Sequence, residues 1–204
     1  MYSLNEMQQD ALTEIINIGM GSAAAALSVM VSDEIRLSVP QVSFIPDSEI
    51  GQHFSDLNIA KLAGVRQGFS GGLSGDAILI FPSDQSIDIV RLLLASSLPM
   101  GTEEFSSFEQ EALSELGNII LNAGISAIAN TLKFSIESSL PIYKQGDLNM
   151  MIPGTNKDQA IMLLRVDLEM EQRQVKGYVI YLMDISSVDL LIQHIDMYIA
   201  SIPT

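Results

Sequence analysis

One eight-residue pattern occurs twice in this chain, and a proline follows each copy at the same distance. The first copy spans residues 10–17 and is followed by Pro40, and the second spans residues 111–118 and is followed by Pro141. In both copies the proline lies 23 positions after the asparagine that ends the pattern. The offset of 101 positions between the copies predicts a chain built from two similar halves.

The two halves also share the order of their predicted elements. Each begins with a possible capping box, Ser3-x-x-Glu6 or Ser106-x-x-Glu109, and continues as an Ala-rich helix. An extended segment around the proline, a hairpin and a short closing helix follow in both halves. The predicted extended segments and strands are 35–45, 62–69 and 73–81 in the first half and 136–143, 160–168 and 175–183 in the second, with closing helices at 84–96 and 186–200.

This order of elements predicts an α/β (α+β) fold with an internal pseudo-twofold duplication. A half with only two or three strands would leave a sheet edge and an apolar face open, so we expect the halves to share one mostly antiparallel sheet of about six strands. Two long helices that carry the repeated pattern should lie on one face of it. Residues 1–204 then form a single domain of two repeats, about 1–97 and 106–204, joined by a junction that contains Pro and Gly.

Composition excludes several classes of function. The chain has no cysteine, which rules out disulfides, thiol catalysis and thiolate metal sites. Its ten Lys and Arg residues form no dense run and its formal net charge is −15, so nucleic acid is not an expected partner. A partner with a basic patch is favoured, although acidity also keeps an apolar-rich protein in solution. His53 and His194 have no second ligand at metal-binding spacing, and no metal site is predicted.

Two uncharged stretches, residues 15–32 and 116–132, are at the short limit for crossing a bilayer. Both contain Asn, Ser and Gly, which favours buried helices of a folded domain and no membrane insertion. The first residues lack the basic start of a secretory signal, so the expected location is the cytoplasm.

On a helix, the repeated pattern places an acid, a glutamate and an asparagine on one narrow arc. These side chains are Asp10, Glu14 and Asn17 in the first copy and Glu111, Glu115 and Asn118 in the second. The opposite faces are apolar and should be buried; they contain Leu12, Ile15, Ile16 and Gly19 in the first helix and Leu113, Leu116, Gly117 and Ile120 in the second. Both Glu–Asn pairs are therefore expected to be accessible to a partner.

The spacing resembles the signature of the CheC/CheX/FliY family of chemotaxis phosphatases: Asp or Ser, three residues, Glu, two residues, Asn, twenty-two residues and Pro. The first copy matches it fully, at Asp10, Glu14, Asn17 and Pro40. The second matches at Glu115, Asn118 and Pro141, whereas Glu111 is acidic but is neither Asp nor Ser. Two copies are typical of CheC; CheX-like chains carry one pair and dimerise, and FliY-like chains add a switch domain.

The resemblance implies a hydrolase that dephosphorylates the phospho-aspartate of a CheY-like response regulator. Asn17 and Asn118 would enter the regulator's site and orient the attacking water, while Glu14 and Glu115 would pair with a regulator lysine. The supporting positions are Asp10, Glu111, Pro40 and Pro141. The regulator brings the Mg²⁺, so no cofactor is expected in this chain, which should be a monomer; the deamidase CheD is a further candidate partner. Replacing both asparagines with Ala should abolish activity with little change in melting temperature.

Two other functions fit the same sequence. One is a non-enzymatic signalling adaptor that binds CheD or a response regulator without accelerating phosphate loss. The other is a structural component of the flagellar switch, which is disfavoured because no switch domain is attached. Phosphate release from a phosphorylated regulator distinguishes the enzyme from both.

Overall fold

A computed structural model of the chain describes residues 3–32, 34–54, 61–83, 85–86, 89–90, 106–152, 159–170 and 173–202. The predicted closing helix 84–96 and the junction 97–106 lie largely outside these residues. The helices are α1 (Glu6–Val31), α2 (Ile50–His53), which follows a 3₁₀ turn at Asp47–Glu49, α3 (Ser107–Leu132), α4 (Leu148–Met151) and α5 (Ile185–Ser201).

The two long helices α1 and α3 begin with capping boxes, but only one uses the predicted residues. Ser106 and Glu109 cap α3 as predicted. The prediction for α1 was wrong, because its cap is Asn5, whose side chain accepts a hydrogen bond from the backbone N–H of Gln8 at 2.9 Å. Asn accepts this bond as well as Ser does, so the true cap lies two residues after Ser3.

In the part of the chain that the structure describes, seven strands form one sheet. They are β1 (Ile35–Ile45), β2 (Leu62–Gly71), β3 (Gly75–Pro82), β4 (Ile136–Ser138), β5 (Ile142–Gly146), β6 (Gln159–Met170) and β7 (Arg173–Asp184). The order is β1-β6-β7-β3-β2-β4, with β5 also paired to β2, and every pairing is antiparallel. The extra strand relative to the expected six arises because the extended segment around Pro141 divides into β4 and β5.

Strands cross between the two halves of the chain. β1, from the first half, pairs with β6 of the second, and β4 and β5, from the second half, pair with β2 of the first. β3 and β7 join the halves at the centre of the sheet. The mixed helix and antiparallel-sheet fold is thus confirmed, while descent of the halves from a duplication stays a prediction.

The sheet is buried on both faces. The larger apolar cluster contains residues of α1, α3 and α5 together with one face of the strands, including Leu79 and Phe81 of β3. The smaller cluster contains the other face of the strands, including Ile78 and Ile80, with residues of α4. The alternation along β3 follows the period of two in a strand. The long helices therefore lie on one face, as expected.

Helices α1 and α3 are long and apolar enough to cross a membrane by length and composition alone. Within their most apolar windows, 39% and 50% of the residues are buried inside the protein. The core helices of a folded domain pass the same test, and both helices contribute residues to the larger apolar cluster. Their apolar character is thus accounted for by packing on the sheet.

Candidate functional site

The four acids of the repeated pattern are exposed on the long helices. They are Asp10 and Glu14 on α1 and Glu111 and Glu115 on α3. All eight apolar and glycine positions predicted to be buried are buried. The helical period read from the sequence therefore places these carboxylates where a partner can reach them. Asn17 and Asn118 are half-buried at the border between the exposed and buried faces.

The amide of Asn17 is bound to the backbone of strand β1. Its Nδ2 donates to the carbonyl oxygen of Val39 at 3.2 Å, and its Oδ1 accepts from the backbone N–H of Val39 at 2.9 Å. Val39 is 1% exposed, and the register between β1 and β6 shifts between Ser38 and Gln41. The irregular pairing leaves the backbone N–H and C=O of the buried residue Val39 without a partner strand. The side chain of Asn17 forms hydrogen bonds with both groups.

This contact gives a physical reason for the distance between the asparagine and the proline. Proline has no N–H to donate to a neighbouring strand, so Pro40 favours an irregular pairing at its position. The residue before it, Val39, then offers its N–H and C=O to the helix above. The spacing of 23 positions brings Asn17 of α1 over that residue of β1.

The amide of Asn118 is held differently, by side chains. Its Oδ1 accepts from Nδ2 of Asn122 at 2.7 Å and from Nε2 of Gln67, in β2, at 3.4 Å. Leu140, which corresponds to Val39 by its place before the proline, is 85% exposed. Within the described residues, Asn118 makes no hydrogen bond to it.

Gln67 was not predicted as a site residue. It is 2% exposed, and its Nε2 also donates to the carbonyl oxygen of Ser139 at 2.8 Å, in the break between β4 and β5. Its Oε1 is buried and has no hydrogen-bond partner among the described residues. In sequence, Gln67 lies in a hairpin pattern 51 residues from Asn118, and no local motif indicated that the two would meet.

Helix α3 approaches β2 closely beside this contact. A Cβ at Gly117 would lie 2.6 Å from Cβ of Val65, so any residue other than glycine would force the helix or the strand to move. The first turn of α3 lies near β5: burial raises the pKa of Tyr143 to about 12, and the Glu109 carboxylate adds to the rise. The close approach is what allows a short asparagine to reach a glutamine of the sheet.

The described residues contain no group of three or more His, Cys, Asp or Glu side chains that could hold a metal ion. His194 contacts the carbonyl oxygen of Leu132 through Nδ1 at 2.7 Å, and its ring stacks on Phe134. These two packing contacts explain a histidine at this position. The polar groups that this chain offers to a partner at the two sites are thus carboxylates and amides.

Comparisons with known proteins show what this chain is similar to. The sequence model of the CheC-like family matches residues 7–44, a range that contains the complete first motif through Pro40. The "CheY-P phosphatase CheC" of Bacillus subtilis (strain 168) is 28% identical over 142 residues, covering 68% of this chain and 66% of that protein. The "Flagellar motor switch phosphatase FliY" of the same organism is 28% identical over 138 residues, covering 68% of this chain and 35% of that protein. The matches thus span between about a third and about two thirds of these relatives' lengths.

Solved structures share the fold. The crystal structure of Thermotoga maritima FliY superimposes with a TM-score of 0.79 at 22% identity, covering 97% of this chain and all of that one. A chain in the crystal structure of the CheX–CheY–BeF₃–Mg²⁺ complex from Borrelia burgdorferi gives a TM-score of 0.53 at 17% identity, covering 80% of this chain and 95% of that chain. The predicted resemblance to the CheC/CheX/FliY family is therefore confirmed.

Proposed function

We propose that this protein is a phosphatase that hydrolyses the phospho-aspartate of a CheY-like response regulator. The observation that carries the proposal is the display of two Glu–Asn pairs, Glu14–Asn17 and Glu115–Asn118, on helices packed rigidly against one sheet. Two relatives named as phosphatases, one of them as a CheY-P phosphatase, and a similar fold crystallised with CheY support the same substrate class.

The reaction needs little from the phosphatase beyond positioning. A water oxygen attacks phosphorus while the bond from phosphorus to the aspartate carboxylate oxygen breaks. The aspartate leaves as a carboxylate and both water protons remain on the released inorganic phosphate. We propose that the regulator supplies the phosphoryl group and the Mg²⁺ and that this chain supplies the amide that holds the water, since fixing a reactant in place can lower a barrier substantially.

The hydrogen bonds of Asn17 are compatible with this role. An amide oxygen has two lone pairs and an amide nitrogen has two hydrogens. The Val39 backbone uses one of each. Asn17 therefore keeps one donor and one acceptor with which to orient a water molecule, in a side chain whose direction is already fixed by the strand.

The exposed glutamates serve as docking groups in this proposal. Glu14 and Glu115 each lie one helical turn before the asparagine, so a basic side chain of the regulator that pairs with the carboxylate lies beside the amide. An ion pair across an exposed rim acts mainly on encounter and orientation. Replacing either glutamate with Gln should therefore raise KM more than it lowers kcat, and added salt should weaken the wild-type interaction.

The test is phosphate release from a phosphorylated receiver domain with Mg²⁺, with and without this protein. We expect Asn17→Ala and Asn118→Ala each to remove part of the acceleration, and the double variant to lower it roughly 100-fold, as expected for loss of a positioned water. Asn130→Ala is the matched control, because Asn130 is an exposed asparagine of α3 outside the pattern. A double variant with wild-type activity would disprove the assigned role.

The same experiment separates the enzyme from the adaptor function. Saturable binding of the regulator without faster phosphate release would favour a non-enzymatic adaptor. We propose a monomer that acts where receiver domains are phosphorylated, in the cytoplasm. Light scattering of the free protein and of its mixture with the regulator measures the stoichiometry directly.

A further inference from the structure

We infer that Gln67 is a positioning residue for Asn118, so that the second Glu–Asn pair depends on a strand side chain that the first pair lacks. The inference rests on the proposed function and names how one of its two sites is set up. Gln67 does not itself reach the exposed surface, since it is 2% exposed. It acts, in this proposal, only through the orientation of the Asn118 amide.

The hydrogen bonds of Gln67 point to this role. Both acceptors of its Nε2 lie at the second site: the Asn118 Oδ1 at 3.4 Å and the Ser139 carbonyl at 2.8 Å. Its own Oε1 is buried with no partner among the described residues. A buried amide with an unpaired oxygen costs stability, whereas an apolar side chain of similar size would not. Packing alone gives no reason for a glutamine at this position.

The corresponding place in the other half of the chain is apolar. Gln41 and Ile142, the residues directly after the two prolines, pair with Arg165 and Arg66 respectively. The next residue of β6, Val166, therefore corresponds to Gln67 of β2, and Val166 is fully buried.

The two helices differ at the matching places. By the offset of 101 positions, α1 carries Ile16 where α3 carries Gly117, and Gly21 where α3 carries Asn122. The first half thus combines a large helix residue with a valine of the sheet. The second half combines a glycine with a glutamine, and an added asparagine one turn along α3. In the second half the glycine lets α3 approach β2 closely, and the glutamine and asparagine beside it add hydrogen-bonding side chains that the first half lacks.

The consequence is a different set of free hydrogen-bonding groups at each site. Asn122 and Gln67 both donate to Oδ1 of Asn118, so this oxygen is directed towards them and its lone pairs are used. The Nδ2 hydrogens of Asn118 have no partner in the described part of the chain and remain for an oxygen atom in the regulator's site. Asn17, by contrast, offers one donor and one acceptor.

The test places Gln67→Leu in two backgrounds, at a temperature where all variants are folded. In the Asn17→Ala chain only the second site has its amide, and we expect kcat to fall roughly 10-fold to 100-fold with little change in KM, as for a misplaced catalytic group. In the Asn118→Ala chain Gln67 has no amide to act through, and the remaining activity should change less than about 2-fold. Equal losses in both backgrounds, or no loss in either, would overturn the inference.

A second measurement does not depend on activity. In ¹⁵N-resolved NMR spectra, Gln67→Leu should shift the side-chain amide resonances of Asn118 and leave those of Asn17 in place. Unmoved Asn118 resonances would overturn the inference, whatever the enzyme assay shows. If these resonances move but the Asn17→Ala/Asn118→Ala chain keeps wild-type activity, the proposed function fails while the contact stands.

Discussion

Asn17→Ala and Asn118→Ala are expected to differ sharply in their effect on stability. The two residues occupy equivalent positions of the repeated pattern, yet only Asn17 is bound to the backbone of a buried residue. Its loss leaves both the N–H and the C=O of Val39 without the partners they have in the native protein. Val39 is 1% exposed, so water does not readily replace them.

The magnitude follows from the two broken hydrogen bonds. A hydrogen bond contributes about 0.5–1.5 kcal/mol net, and a buried group left unpaired costs about 1–3 kcal/mol, which gives roughly 2–4 kcal/mol for the pair at Asn17. Alanine is the better helix former and returns up to about 0.7 kcal/mol. The net loss of roughly 2–3 kcal/mol corresponds to a drop in melting temperature of about 5–10 °C for a domain of this size.

For Asn118→Ala the expected loss is smaller. The replaced bonds go to Asn122, which is half-buried and can turn to solvent, and to Gln67 at the long distance of 3.4 Å. With the same gain in helix propensity, we expect a loss of less than about 1 kcal/mol.

Urea unfolding followed by circular dichroism measures both variants, with Asn130→Ala as the control for helix propensity. The expected order of unfolding free energies places Asn17→Ala lowest, well separated from Asn118→Ala. Similar values for the two would refute the backbone contact as a source of stability. The expected loss at Asn17 differs from the expectation from sequence alone that replacing both asparagines barely changes the melting temperature, and the same measurement distinguishes the two.

Three further predictions are read by thermal unfolding. Gly19→Ala should destabilise the protein, because its Cβ would lie 2.5 Å from the carbonyl oxygen of Ala123 in α3. Gly21→Ala is the control: a Cβ there has no atom within 4 Å, and the variant should gain up to about 1 kcal/mol of stability. Equal shifts in melting temperature for the two variants would argue against a tight crossing of α1 and α3. Tyr181→Phe should be neutral or stabilising by about 1 kcal/mol, because its buried hydroxyl has no partner among the described residues. Burial raises the pKa of Tyr181, so stability should fall as pH rises above about 10, where the unfolded chain ionises, and fall less in the Phe variant. Ser106→Ala removes the cap of α3 and should cost about 1 kcal/mol; an unchanged melting temperature would contradict its capping role.

Much of the fold could be predicted from sequence because its signals are local. The bounds of β1, residues 35–45, agree with the prediction, and the buried faces of α1 and α3 follow from the helical period. The hairpin strands were predicted at nearly their observed positions. β2, β6 and β7 extend one or two residues beyond the predicted bounds, whereas β3 starts two residues later and ends one residue later than predicted. The period of the apolar residues indicates which face of a helix or strand is buried, without knowledge of the element that packs against it.

The hydrogen-bond partners of the site could not be predicted. The pattern identified Asn17 and Pro40 as a pair at fixed spacing, but not that the amide would bind Val39 between them. Gln67 was missed because its contact with Asn118 depends on the register of β2 and on the close approach allowed by Gly117. The break between β4 and β5 was likewise read as one strand, since Pro141 alone does not distinguish a bulge from an interruption.

The exchange of outer strands between the halves bears on how the protein unfolds. Removing the first half would leave β5 unpaired and take one neighbour each from β6 and β7, and removing the second would leave β1 unpaired and take neighbours from β2 and β3. Each half alone would therefore have strands with unpaired backbone groups, so one half is not expected to unfold while the other stays folded. Loss of order should spread through the whole sheet in a single cooperative step. An isolated half expressed alone would find its missing neighbours most readily in a second copy of itself.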